Sequence, residues 1–150
     1  MPIAPEHRWL YPIDWPELSR LVRFGRARGR CEHCRRPHGR EVAHLGDGRW
    51  WDEEAQVWRD GRGRALRRLP PPDKLPVPQH TLADIDAPPA YRTTRVVLAS
   101  AHLNHDPADN RMRNLAALCQ RCHMVHDAEN HRRQRWYNAF RLRAIADLFG

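Results

Sequence analysis

A small α+β domain closed by a four-cysteine staple is what the sequence predicts, on three observations. All four cysteines of the 150-residue chain fall into two Cys-x-x-Cys pairs, Cys31–Cys34 and Cys119–Cys122, far apart in sequence. Short runs rich in β-branched and aromatic residues, bounded by turn residues, read as strands. Helix start patterns and 3.6-residue spacing occupy the two ends. Tetrahedral zinc takes four thiolates, and a two-residue gap lets both sulfurs of a pair converge on one ion. The reading is therefore a structural Zn²⁺ held by Cys31, Cys34, Cys119 and Cys122 that clamps the start of the chain to its far third. Disulfides or a redox dithiol are the competing readings. Cys31 follows the Gly- and Arg-rich run 25–30, whereas a redox pair belongs between a buried strand and a helix.

The elements follow in order. Asp14-Trp15-Pro16-Glu17 reads as a helix start, with Asp14 as N-cap and Glu17 as its capping-box partner. This helix carries Leu18, Leu21, Val22 and Phe24 and should stop near Gly25. After the first cysteine pair comes a short strand around Glu41-Val42-Ala43-His44. Trp50, Trp51, Val57 and Trp58 flank the acidic turn Asp52-Glu53-Glu54 and read as a β-hairpin, with the tryptophans assigned to packing rather than to base stacking. Pro70 to Pro89 has no periodicity and reads as a stiff exposed insertion. The chain is expected to be one domain over 1–150, with the Trp-rich hairpin and Pro-rich insertion at about 46–92. Arg95-Val96-Val97-Leu98-Ala99 reads as one buried strand. His131 to Phe149 should be helical, with Trp136, Tyr137, Phe140, Ala144 and Leu148 on a broad apolar face and Arg135 and Arg143 opposite.

Charge narrows the partners. Lys and Arg number 26 against 18 Asp and Glu, a net +8, and every basic residue except Lys74 is arginine. Arginine's planar fork suits phosphate, so nucleic acid is the expected partner. A GC-rich genome, which inflates Arg, Pro and Ala together, is the competing source of this composition. Clustering favours the partner, because eight arginines lie between Arg20 and Arg40 with only Glu32 against them. The N-terminus has no apolar signal-like run, and no segment approaches the ~18 apolar residues of a membrane span. A cytoplasmic location without membrane contact is the expectation, and the sequence is silent on oligomeric state.

The richest stretch runs from Val96 to Asp127. A strand ends in Ala101-His102, and a loop dense in Asn and Asp leads to Asn114-Leu115. Cys119-Gln120-Arg121-Cys122-His123 then opens a helical stretch. The ordered set, with Cys31–Cys34, resembles the HNH endonuclease family, whose ββα-metal fold carries a strand-end His, a central Asn and a helix-borne His or Asn, often buttressed by two Cys-x-x-Cys knuckles. The resemblance covers Cys31–Cys34 and about 30 residues within an HNH core of about 94–130. It implies a metal-dependent hydrolase of DNA phosphodiester bonds using a divalent ion such as Mg²⁺ or Mn²⁺. In it His102 matches the general base, Asn114 the residue that holds loop and base in place, and His123 the metal ligand at the helix start. Asp127, four residues on and on the same helical face as His123, matches a position where the colicin nucleases carry another metal-binding His.

One position departs from the pattern. The residue before the base is usually an Asp or His that ligates the catalytic metal, and here it is Ala101. Either His105 or Asp106 supplies the missing ligand, or His102 ligates while His105 acts as base, or the site is inactive. The alternative function is a non-catalytic zinc-containing nucleic-acid-binding protein; an interaction module built on the hairpin and Pro-rich arm is a third. His126 sits about 100° from Asp127 around a helix and reads as a solvated polar residue. His7, His33, His38, His44, His80 and His131 have no partner pattern.

Overall fold

The structure, a computed structural model, describes residues 5–75 and 91–149 and is a small α+β domain with two helices and two antiparallel sheets. Most of the Pro-rich insertion, residues 76–90, lies outside the described residues. The strands are β1 (Glu41–His44), β2 (Trp50–Asp52), β3 (Val57–Arg59), β4 (Ala65–Leu66), β5 (Arg92–Arg95), β6 (Leu98–His102) and β7 (Leu115–Cys119). The first five form one sheet in the order β4-β3-β2-β1-β5, and β6 and β7 form the second. Helix α1 (Trp15–Arg20) continues through a π-helical turn over Leu21–Arg26, and α2 spans Gln120–Phe149. No helix among the described residues is long and apolar enough to cross a membrane.

The Trp-rich hairpin forms as its residues dictate. Trp51 pairs with Trp58 across β2 and β3, their rings meeting edge to face at 5.7 Å. Asp52 accepts from Ala55 N and pairs with Arg59 at 2.6 Å, which closes the acidic turn. Trp50 is fully buried and donates its indole N–H to the Cys34 carbonyl at 3.1 Å, tying the hairpin to the first cysteine pair.

Three expectations change. Asp14 precedes α1 but makes no capping bond, because its backbone (φ −91°, ψ 17°) is not the extended form that aims a side chain at the N2 and N3 amides. Residues 95–99 are two strand ends rather than one strand. Val96 exchanges hydrogen bonds with Gly39 and Arg40, Val97 is exposed, and the chain passes between sheets at this point. Third, the distal part of α2 is unpacked: every residue from His131 to Arg141 is exposed, Trp136, Tyr137 and Phe140 included. Ala144 and Leu148 lie outside the described side chains.

The second sheet is thin. Ala99, Ser100 and Ala101 face Leu118, Ala117 and Ala116, and both the π-helical turn and α2 pack against these strands. On one face Ser100 Oγ meets Ser19 Oγ of α1 at 3.0 Å, and His102, two residues along and on the same face, stacks on Trp15. Leu98, Leu115, Val96, Val22 and the four cysteines make the core that joins both sheets to the helices. In so small a core each large apolar side chain contributes about 1.5–3 kcal/mol.

Candidate functional site

Cys31, Cys34, Cys119 and Cys122 are all buried, unpaired by disulfides, and their sulfurs lie within 4.8 Å of one another. Chain geometry puts them there. Arg35 N bonds to Cys31 O and Cys31 N to Arg36 O, which folds residues 31–36 into a tight knuckle. Glu32 anchors that knuckle to β7, donating its amide to Ala117 O at 2.9 Å and accepting Ala117 N on its carboxylate at 2.7 Å. Arg26 grips the same carboxylate with two hydrogen bonds, at 2.9 and 2.7 Å. The second pair straddles the last residue of β7 and the first turn of α2. Cys119 N donates to Cys31 Sγ at 3.3 Å, and Cys34 Sγ lies 3.5 Å from Cys119 Sγ.

Four sulfurs bonded to one zinc at ~2.3 Å would stand about 3.8 Å apart, so the cluster suits a thiolate-loving metal such as zinc. The thiol electrostatics agree. Hydrogen bonds from its three neighbours pull Cys31 down, and Cys119 is lowered to about 6, chiefly by a hydrogen bond from Cys122. Cys34 and Cys122 are pushed up, because they serve as the donors to those thiolates. A divalent cation is what allows all four to be thiolates together.

The second cluster lies one turn further along α2. Asp127 is buried and reaches two histidines: Oδ1 is 3.3 Å from His105 Nδ1 and Oδ2 is 3.2 Å from His123 Nε2. His126 stacks on His105 with ring centroids 4.5 Å apart and bonds through Nε2 to the carbonyl of His102 at 3.2 Å. Ligand atoms of His105, His126 and Asp127 all lie within 4.8 Å of one another. Burial holds His123 below the ordinary imidazole value, the Asp127 charge opposing only partly, so its ring is neutral at neutral pH.

His126 is thus not a solvated bystander. Residues 123, 126 and 127 form an i, i+3, i+4 face of α2, a spacing present in the sequence. What the sequence does not carry is the backbone of His105, whose φ of 60° is left-handed and costs about 1–2 kcal/mol. That conformation brings the loop's ring across to the helix.

His102 stands apart from this cluster. Its ring stacks on Trp15 (5.5 Å, 10°) and meets Tyr11 edge-on, and its Nε2 lies 3.0 Å from Asn110 Oδ1. Asn110 is locked in orientation, since its Nδ2 donates to the carbonyls of Leu10, Pro107 and Ala108. Its Oδ1 is therefore the acceptor, His102 Nε2 carries the hydrogen, and Nδ1 is left as the open acceptor. Asn114 is buried and braces the loop: Nδ2 donates to Asn104 Oδ1 and Asp109 O, both at 2.8 Å, and Oδ1 accepts Asn104 N at 3.1 Å. Ala101 is buried in the core. Asp106 is exposed and accepts Ala108 N, which leaves His105 as the loop residue that reaches Asp127.

Of the other histidines, His38 accepts Leu98 N at 3.0 Å, His44 bonds Thr94 Oγ1 at 2.9 Å and His33 Nδ1 lies 3.5 Å from Cys122 Sγ. Much of the arginine run is also internal. Arg26 additionally donates to Met112 O and Leu115 O, Arg30 pairs with Glu54, and Arg36 is buried.

Compared with protein-family models, curated proteins and solved structures, the chain matches none of them. Fold and site define a small α+β domain in which a buried four-cysteine cluster that could hold a metal such as zinc sits one helical turn from a His/Asp cluster.

Proposed function

We propose that the chain is a metal-dependent endonuclease of HNH type that hydrolyses DNA phosphodiester bonds, with β6, β7 and the first turns of α2 as its ββα-metal unit. The observation carrying this reading is the convergence of His105, His126 and Asp127 beside the strand that ends in His102. Two imidazoles and a carboxylate suit a divalent ion of the Mg²⁺, Mn²⁺ or Zn²⁺ kind. Such an ion, when bound, offsets the charge that builds on the phosphate and on the departing 3′-oxygen.

The chain's own residues do the rest. His102 accepts the proton of the attacking water on Nδ1, while Asn110 holds its Nε2–H and Trp15 holds the ring plane. Asn114 keeps the loop that carries His105 closed, and His123 fixes the Asp127 carboxylate. His105 takes the place left by Ala101. Cys31, Cys34, Cys119 and Cys122 would hold Zn²⁺, which would fix the departure of α2 from β7 and so the position of the helix-borne ligands.

Purified protein incubated with supercoiled plasmid across Mg²⁺, Mn²⁺, Ca²⁺ and Zn²⁺ tests this. Nicked or linear product that vanishes with chelator and with His102→Ala is the expected result. Salt-sensitive DNA binding with no cleavage under any metal selects the second reading, a non-catalytic zinc protein, which Ala101 favours.

A further inference from the structure

Helix α2 lines a second cleft with its opposite face. His123, His126 and Asp127 point one way; Arg121, Met124 and Val125 lie about 200° around the helix and line a separate cavity of about 370 Å³ against β1 and β5. Val42 and Val96 complete its apolar wall, and Arg36 lines it from the first cysteine knuckle. Among the described residues, no Asp or Glu lines this space.

Arg36 is the unexplained residue. It is 6% exposed and its Nη2 donates to Gly48 O at 3.3 Å, while Nε, which has no hydrogen-bond partner, is closed off from the cavity. A guanidinium this deeply buried, with no carboxylate among the described residues that line the cavity, would gain charge-assisted bonds from an oxyanion placed there. Arg121 adds a second positive group at the same wall. His44, also lining the cavity, is held below its ordinary value by burial and then by Arg36, Arg92 and Arg121, so the region stays positive without a protonated imidazole.

We propose that this cavity binds a small organic oxyanion, its phosphate or carboxylate head meeting Arg36 and Arg121 and its apolar body lying on Val42, Val96, Met124 and Val125. The volume falls in the range of small-molecule sites, and the mostly apolar lining favours an organic body over a bare hydrated ion. The site is independent of nuclease activity, since it uses a different face of α2.

The test is a titration of the full chain with phenyl phosphate, benzoate, inorganic phosphate and phenol, followed by amide NMR shifts at Gly46 and Gly48. Saturable binding of phenyl phosphate or benzoate is expected, and the stronger of the two identifies the head group. Arg36 is left intact because its removal also disturbs the core. Arg121→Ala and Met124→Glu, the second at an exposed position on the rim, should each weaken binding tenfold or more while leaving the rest of the spectrum unchanged. No saturation by either organic anion up to about 10 mM overturns the proposal. So do phenol or inorganic phosphate binding as tightly as both organic anions, unchanged affinity in both variants, or displacement of the bound anion by a short DNA duplex.

Discussion

Cys34→Ser tests the staple on which both sheets depend. Cys34 is 1% exposed, its sulfur lies 3.5 Å from that of Cys119, and its carbonyl holds the Trp50 indole, so this residue joins the hairpin, the first knuckle and β7. Structural zinc contributes on the order of 10 kcal/mol to small domains. Net stability of a domain this size is about 5–15 kcal/mol, so the variant should lose cooperative folding rather than merely shift its midpoint. Elemental analysis should find close to one zinc per wild-type chain and none on the variant, with the variant's melting transition absent. Ligation also has a proton signature. Cys34 and Cys122 are raised above the ordinary thiol value and are protonated near neutral pH, so zinc uptake must displace their protons and affinity must fall as pH falls. Calorimetry in buffers of different ionisation enthalpy reads that release directly. A soluble Cys34→Ser protein with an unchanged melting curve, or zinc uptake without proton release, would refute the reasoning.

Three further outcomes separate the roles proposed for individual side chains. His105→Ala and Asp127→Asn should raise the Mn²⁺ concentration needed for cleavage and recover rate in excess metal, whereas His102→Ala should lose roughly 10²–10⁴-fold without recovery; the reverse pattern exchanges base and ligand. Asn110→Ala should move the His102 hydrogen away from Nε2 in imidazole ¹⁵N spectra and lower cleavage in parallel, and an unchanged tautomer would remove Asn110 from the mechanism. Arg28, exposed and without a side-chain partner among the described residues, should lower the slope of log K for DNA against log salt by about 0.9 when replaced with Ala. Arg26→Ala should instead destabilise the fold by about 1–3 kcal/mol with the slope unchanged, since its guanidinium is committed to Glu32, Met112 and Leu115, and equal effects from the two variants would contradict this division.

Local chemistry made some of this legible in the sequence. Cysteine spacing placed four thiols in one cluster because ligand geometry is local to each knuckle. The hairpin was equally readable, since Trp51, Trp58 and the acidic turn between them are close neighbours in sequence. What sequence periodicity missed depends on backbone or tertiary context. Asp14 and Glu17 have the residue types of a capping box, but the chain enters α1 through a turn that misdirects Asp14. The run 95–99 is continuous in hydropathy, yet it splits where Val96 pairs with residues 39 and 40, which hydropathy does not encode. The apolar stripe of Trp136, Tyr137 and Phe140 promised burial, and nothing in the described fold covers it.

His105 shows the limit most clearly. A histidine in an Asn- and Asp-rich loop has no sequence mark that separates a ligand from a turn residue, and its left-handed φ is rare for a residue with a side chain. Once Asn114 pins Asn104 by both backbone and side chain, the next residue but one to Leu103 has little freedom left, and His105 N closes back onto His102 O at 3.2 Å. The strained turn delivers an imidazole to Asp127 from the loop side, where Ala101 on the strand has none to give. On the proposed nuclease reading, Ala101 and the strain at 105 belong together: the ligand absent from the strand end would come from His105, four residues later, on a loop that Asn114 holds shut. On this argument Asn114→Ala should weaken Mn²⁺ binding as His105→Ala does, although Asn114 touches no metal ligand, and Mn²⁺ affinity that survives the loss of Asn114 would uncouple the two.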